Sequence, residues 1–280
     1  MAQDTDFSQK IQGIFDQRSM PLIMGILNVT PDSFFDGGNY TEEGAWLAQT
    51  EKMVREGATI IDIGACSTRP GSPQPSLQEE SNRLIPVIRS LRKNYPEVLL
   101  SVDTYRSEIA RQAITAGAHI INDISGGTLD PNMFETVAQL NVPYILMHIQ
   151  GNPQTMQENP VYTDVVKEVH DYFSDNLKKL NTLGATKVIL DPGFGFGKTV
   201  EHNYQLLQNL EKFQAFGLPV LAGLSRKSMI NKLLNISSKN ALNGTTVLNT
   251  IALQKGAKLL RVHDVKEAME VVTILEKMKC

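Results

Sequence analysis

The stretch Gly117-Ala-His-Ile-Ile-Asn-Asp123 sets the pattern from which the fold can be read. A Gly-Ala pair leads into a short apolar run, and the run closes on two polar side chains. Glycine at this place permits the left-handed C-cap that turns a helix back into a strand. The same pair recurs as Gly57-Ala58, Gly184-Ala185 and Gly256-Ala257. Short apolar runs of this kind lie at 21–27, 59–63, 98–102, 119–121, 143–147, 187–190, 218–222 and 258–262. Most lack the strict alternation of a half-exposed strand, as expected of parallel strands covered on both faces.

Between the runs, apolar residues fall three and four apart. Trp46, Met53 and Val54 do so in the first interval, and Val165, Val166, Val169, Phe173, Leu177 and Leu180 in the fifth. That is helical spacing. Thr41 followed by Glu42 and Glu43, Ser76 with Glu79 three residues on, and Asp164 are suitable N-caps. Eight strand–helix units without a linker predict a single α/β domain. Its form is a (β/α)8 TIM barrel, a parallel eight-stranded sheet closed by outer helices. An open doubly wound sheet uses the same units, but the count of eight and the lack of a dinucleotide fingerprint after the first strand favour the barrel. Residues 19–276 are assigned to the barrel and residues 1–18 to an N-terminal extension.

Composition narrows the function. The 280 residues carry 27 Lys and Arg against 30 Asp and Glu, a formal net charge of −3. This balance offers no electrostatic footprint for a nucleic acid. Two cysteines, Cys66 and Cys280, are too few for a disulfide scaffold or a four-cysteine metal site. No run of 18 apolar residues is present, so no membrane span is expected. The polar first ten residues lack the basic and apolar segments of a secretory signal. The expectation is a cytoplasmic protein that acts on small molecules, with no nucleic acid and no membrane as partner.

In such a barrel the active site gathers at the carboxyl ends of the strands. The residues there are Asn28, Asp62, Asp103, Asn122-Asp123, His148, Asp191, Ser225-Arg226-Lys227, and Arg261 with His263. Their convergence on one bowl follows from topology alone. Asp and Asn hydrogen-bond a flat nitrogen heterocycle that shows both donors and acceptors. Arg, Lys, His and nearby glycines hold a phosphate or carboxylate. The bowl therefore points to a heteroaromatic substrate with an anionic arm.

Three loops add detail. Asp191-Pro-Gly-Phe-Gly-Phe-Gly-Lys-Thr199 resembles a Walker loop, but Pro192 stands where that motif needs its first glycine. A G-x-G-x-x-G begun at Gly193 fails at Lys198. The segment is read as a glycine loop that lets backbone approach a ligand. The first loop, residues 28–38, mixes small polar residues with Phe34, Phe35 and a glycine pair, which suits a lid. The second, residues 66–72, sets hydroxyls and Arg69 beside Pro70 and suits an anion contact. Cys66 in that loop is read as a small filler rather than a reactive thiol.

Eight motifs follow one another along the chain: Leu27-Asn-Val-Thr-Pro-Asp-Ser-Phe34, Asp62-Ile-Gly64, Ser67-Thr-Arg-Pro-Gly71, Ser101-Val-Asp-Thr104, Ile121-Asn-Asp-Ile124, Asp191-Pro-Gly-Phe-Gly-Phe196, Ser225-Arg-Lys227 and Arg261-Val-His263. Together they closely resemble the signatures of the dihydropteroate synthase family, from Pro21 to Val272. Ala65-Cys66 departs from the family, which often has Gly and an acidic or amide residue there. The resemblance implies condensation of (7,8-dihydropterin-6-yl)methyl diphosphate with p-aminobenzoate, giving 7,8-dihydropteroate and diphosphate in folate biosynthesis, with Mg2+ as helper. It implies that Asp103, Asn122, Asp191 and Lys227 surround the pterin, with Asp62, Met147 and Gly223 completing the pocket. Asn28 would help hold Mg2+, and Thr68, Arg69, Arg261 and His263 would contact the diphosphate. Phe34, Ser67, Thr68, Pro70, Phe196 and Ser225 would shape the p-aminobenzoate site, where sulfonamides would compete. A homodimer is the family expectation, with residues 244–254 and 265–278 as surfaces.

The chemistry fits this division. An arylamine is a poor nucleophile, so departure of diphosphate is the event to assist. Arg261 and His263, with Mg2+, would neutralise charge growing on the leaving group, and the electron-rich dihydropterin would delocalise the cation. Asp103 or the lid's Asp36 would stabilise it further. These roles predict an SN1-like displacement without a covalent enzyme intermediate. Lys227 is then a hydrogen-bond and charge contact, not a Schiff-base nucleophile. Two other readings share the bowl: a barrel that moves a methyl group from methyltetrahydrofolate to a corrinoid, and a non-catalytic pterin-binding paralogue. The first needs neither the 67–71 loop nor the 27–34 lid; the second is expected to lose Lys227, Arg261 or His263. All of these are present.

Overall fold

All eight expected strands form, each paired in parallel with its neighbours. The computed structural model describes residues 2–16, 18–29, 42–66, 74–151, 155, 156 and 159–278. The elements run α1 (Ala2–Phe15), β1 (Leu22–Asn28), α2 (Glu42–Arg55), β2 (Ile60–Gly64), α3 (Leu77–Asn94), β3 (Leu99–Asp103), α4 (Ser107–Ala116), β4 (Ile120–Asp123), α5 (Met133–Leu140) and β5 (Tyr144–Met147). They continue through α6 (Val165–Thr182), β6 (Val188–Asp191), α7 (Val200–Gln208), β7 (Leu221–Ala222), α8 (Ser228–Leu234), α9 (Leu242–Gln254), β8 (Leu259–Val262) and α10 (Val265–Met278), with 3-10 turns at Leu210–Phe216 and Ser238–Asn240.

The sheet order is β6-β5-β4-β3-β2-β1-β8-β7. The ring is completed between β6 and β7 by one parallel bridge, Leu190 to Val220, where Leu190 N–H donates to Pro219 O at 2.9 Å. β7 has two residues rather than the five of the apolar run 218–222. Pro219 accepts a ladder bond but has no N–H to give one, which shortens the strand. Several other strands extend past their apolar runs because the closing polar residue stays in the ladder. Asn28 pairs with Gly64, Gly64 with Asp103, Asp103 with Asn122, and Met147 with Asp191. The polar residues at the strand ends are thus held by the sheet itself.

The local signals act as their chemistry predicts. Ser76 and Glu79 form a capping box at α3, with Ser76 N–H donating to Glu79 Oε2 at 2.7 Å and Glu79 N–H to Ser76 Oγ at 3.2 Å. Asp164 Oδ1 accepts from the N–H groups of Val166 and Lys167, both at 3.0 Å. Gly57, Gly117, Gly184 and Gly256 take φ of +105°, +114°, +85° and +87°, the left-handed conformation that the Gly-Ala turns require. Thr41 lies outside the described residues.

One residue from each strand fills the barrel's lower interior: Met24, Ile60, Leu99, Ile120, Ile145, Ile189, Leu221 and Leu259, each at most 2% exposed. Helix α1 packs on this layer through Ile14, with Phe7, Ile11 and Phe15 beside it. Lys258 Nζ donates to Ser19 O at 2.5 Å and ties the following turn to β8. Among the described residues no helix is long and apolar enough to cross a membrane.

Candidate active site

Side chains on a strand return to the same face every second residue. Two positions above the apolar layer therefore stand Ile26, Asp62, Ser101, Asn122, Met147, Asp191, Gly223 and Arg261. Four above stand Asn28, Gly64, Asp103, Ser225 and His263. The bowl is the second and third storey of the barrel whose first storey is its apolar floor.

Its centre is one guanidinium between two carboxylates. Arg261 Nε donates to Asp62 Oδ2 at 2.6 Å, and Arg261 Nη2 donates to Asp103 Oδ2 at 2.8 Å. Asn122 Nδ2 also donates to Asp62 Oδ2, at 3.0 Å. Burial pushes the Asp103 carboxyl up to about 7. Arg261 opposes this rise, while Asp62, Asp123 and Glu80 add to it. Two carboxylates sharing one cation cannot both be fully compensated, which fits that direction. Asp62 Oδ1 and Ser101 Oγ, in register on adjacent strands, are buried without a hydrogen-bond partner. Both belong to the bowl's lower storey, just above the apolar layer.

Across the bowl, Asp191 and Lys227 face each other. Asp191 Oδ1 accepts from Gly193 N–H at 2.8 Å, and burial raises the Asp191 carboxyl against the pull of Lys227. Burial lowers Lys227 to about 8, with Asp191 acting to raise it, so at neutral pH it remains mostly an ammonium. Lys227 Nζ donates to Phe194 O and lies 4.6 Å from the centre of the Phe196 ring. Gly223 places no side chain beside Lys227 and Arg261. Met147 joins Ile124, Ile149, Met156 and Phe196 in an apolar wall.

Several expectations are corrected. Gly193 and Gly197 of the 191–199 loop are required by the protein's own packing, which the sequence alone does not show. A Cβ on Gly193 would stand 1.9 Å from His148 O, and one on Gly197 2.6 Å from Gln150 O; only Gly195 borders Lys227. Arg226 does not join the bowl. It sits at φ +56° and forks onto Asp264 through Nε to Oδ2 and Nη2 to Oδ1, each at 2.8 Å. Asp123 is taken up by Ser125 N–H and Oγ, Gly127 N–H and Tyr144 Oη. His148 faces away from the bowl onto Tyr172 of α6, ring centroids 4.9 Å apart, with Nδ1 lying 3.0 Å from Lys198 Nζ.

At the rim, Asn28 is exposed at the end of β1. Ser225 Oγ and His263 Nδ1 are 3.1 Å apart. Desolvation of the ring and the charge of Arg261 push His263 down to about 4, so in the protein without a bound anion the ring is neutral at pH 7. Cys66 is half-buried. Burial, then Glu80 and Asp103, push its thiol up to about 12, which makes it a packing residue rather than a nucleophile. Phe34, Asp36, Ser67, Thr68, Arg69 and Pro70 lie outside the described residues.

Comparisons with known proteins cover nearly the whole chain, including the strands that carry this site. The pterin binding enzyme family matches residues 24–263. The dihydropteroate synthase of Escherichia coli K12 is 46% identical over 267 residues, covering 95% of this chain and 94% of the relative. The chain belongs to the dihydropteroate synthase family. The Yersinia pestis synthase, solved in complex with a sulfonamide drug, superposes with a TM-score of 0.87 at 43% identity, covering 93% of this chain and 94% of that one. The Xanthomonas albilineans synthase has been solved with 4-aminobenzoic acid (TM-score 0.87, 40% identity, 95% and 94% covered) and with 7,8-dihydropteroate (0.84, 38%, 95% and 95%).

For the synthase bowl, some contributors escaped sequence reasoning. Ser101 lies in the stretch Ser101-Val-Asp-Thr104, and the two-residue step between Leu99 and Asp103 places it inside the bowl. Ile124 and Ile149 carry no chemical label. Glu80, fully buried, accepts from Thr104 Oγ1 at 2.6 Å and pairs with Arg106. Arg106 Nη2 donates in turn to Pro75 O at 2.7 Å, so the end of β3 is tied to the exit of the second loop. As for a metal, no trio of His, Cys, Asp or Glu gathers among the described residues. Asn28 carries one hard amide oxygen at the rim, and a Mg2+ held there would need phosphate or water to fill its other positions. Mg2+ takes such mixed shells.

Proposed function

We propose that the bowl joins (7,8-dihydropterin-6-yl)methyl diphosphate to p-aminobenzoate, forming 7,8-dihydropteroate and releasing diphosphate. The observation that carries this is the placement of Asp191 and Lys227 opposite the Asp62–Arg261–Asp103 chain. The carboxylates accept from the amino and ring N–H groups of a pterin; Lys227 and Asn122 serve its carbonyl and ring nitrogens. The ligands of the related structures, 4-aminobenzoic acid and 7,8-dihydropteroate, support the first as substrate and the second as product here.

The C–O bond to diphosphate breaks before the C–N bond forms, the arylamine nitrogen then adds to the methylene, and the new C–N centre gives up its proton to water. Asp103 stands at the mouth to stabilise positive charge on the pterin methylene. Arg261 and His263 face the departing anion. Mg2+, held by Asn28 together with phosphate oxygens, would supply further neutralisation of the leaving group. Met147 closes the pterin pocket, while Phe196 and Ser225 frame the arylamine; Ser67, Thr68, Arg69, Pro70, Phe34 and Asp36 keep the roles that the resemblance implies. Lys227 acts by charge and hydrogen bonding without a covalent bond to substrate. Intact-mass measurement during turnover should find no adduct, and a Lys227 adduct would overturn the dissociative route. Asp191→Asn should mainly weaken pterin binding; an unchanged pterin titration would contradict the site.

The protein also works as a homodimer in this account, through α9 and α10. Val247, Ile274 and Met278 there are 50%, 62% and 70% exposed. Sedimentation equilibrium should return twice the chain mass.

A further inference from the structure

Lys198 ends the loop after β6 and is 3% exposed. Its Nζ lies 3.0 Å from Gly193 O, 2.9 Å from Phe196 O, 3.3 Å from His148 O and 3.0 Å from His148 Nδ1. A buried amine is costly unless acceptors meet its hydrogens, and here four acceptors from two loops surround it. Burial and the neighbouring Lys227 push it well below the ordinary lysine range, with Asp191 pulling the other way. The ammonium has three hydrogens to give and the neutral amine two, so either state donates to the loop carbonyls.

Other contacts fix the neighbouring backbone. Tyr162 Oη donates to Gly197 O at 2.8 Å, and Gly195 N–H donates to Asn203 Oδ1 at 2.6 Å. Lys198 grips both ends of the segment 193–196 and joins them to the loop after β5. That segment carries the groups that matter. Gly193 N–H holds Asp191, and the Phe196 ring faces Lys227.

We infer that Lys198 is a positioning residue for the synthase reaction: from behind the bowl's wall it holds segment 193–196 against His148 and so sets where the Phe196 ring stands relative to Asp191 and Lys227. The inference rests on Phe196 being a wall of the p-aminobenzoate site. Asp191 is itself held in the ladder with Met147, so loss of the amine displaces Phe196 more than Asp191.

The test varies each substrate in steady-state assays of the full chain. Lys198→Met should raise KM for p-aminobenzoate about tenfold and KM for the pterin diphosphate by less than about threefold, the scale of a small misplacement. Phe196→Ala should raise the p-aminobenzoate KM similarly. Lys198→Gln, which keeps an amide donor, should hold that rise below the Met variant's, and it decides the matter if the Met variant does not fold. Equal rises in both KM values, or a fall in kcat with both KM values unchanged, would overturn the inference. A rise with Phe196→Ala but none with either Lys198 variant overturns the inference alone. No rise with any variant overturns the reading of Phe196 beneath it.

Discussion

Arg261 and Asp103 stand 158 residues apart in sequence and meet at 2.8 Å across the mouth of the barrel. The pair also governs pH dependence. Burial raises the Asp103 carboxyl from 3.8 to about 7, so it is neutral below that pH and a carboxylate above it. Only the carboxylate stabilises a cationic methylene, so kcat/KM for the pterin diphosphate should rise with pH through about 7. Asp103→Asn should abolish that limb, and a limb that survives in the variant would exclude Asp103 as its source. The folded state holds this proton more tightly than the unfolded chain. Its contribution to stability therefore falls as pH rises from about 4 to about 7.

Arg261 is the sole hydrogen-bond donor to Asp103 among the described contacts, and it shares Asp62 with Asn122. Arg261→Met leaves Asp62, fully buried, and Asp103 without their cation. Removing one partner of a buried ion pair costs about 3–5 kcal/mol, with the lower end fitting a guanidinium that is 22% exposed. Urea unfolding at pH 7.5 checks this; a change below about 1 kcal/mol would mean that the carboxylates find water instead.

Asn28→Ala removes the rim amide oxygen and leaves the pterin floor untouched. Isothermal titration should show weaker Mg2+-dependent binding of the pterin diphosphate, with binding of the bare pterin unchanged. Equal losses for both ligands would place Asn28 outside the metal's reach.

At the opposite end, Ile14→Ala opens a cavity between α1 and the barrel's apolar layer. Leucine- and isoleucine-to-alanine changes in cores cost about 2–5 kcal/mol. Thermal and urea unfolding should register that loss while both KM values stay put. Loss of activity in folded protein would mean that α1 shapes the bowl.

Much of the fold and the site is legible in the sequence alone, for definite reasons. The Gly-Ala turns and the apolar runs are local signals, and parallel topology then sends Asp62, Asp103, Asp191 and Arg261 to one end. Arg226 and Asp123 were misplaced because adjacent strand-end residues point to opposite faces. Only the alternation counted from Leu221 and Ile120 separates them from Ser225 and Asn122. β7 was overdrawn because apolarity cannot register the N–H that Pro219 lacks. The glycines after β6 announced a close approach, yet what they approach, the carbonyls of His148 and Gln150, comes from a loop some 45 residues earlier and is visible only in three dimensions. Lys198 looked like a broken motif position for the same reason.

Release of diphosphate from (7,8-dihydropterin-6-yl)methyl diphosphate, followed with and without p-aminobenzoate in the presence of Mg2+, tests the central claim most directly. Diphosphate should appear together with an equal amount of 7,8-dihydropteroate and should depend on the acid. Normal binding of the pterin with no release of diphosphate would contradict the account and leave a pterin-binding barrel without this chemistry.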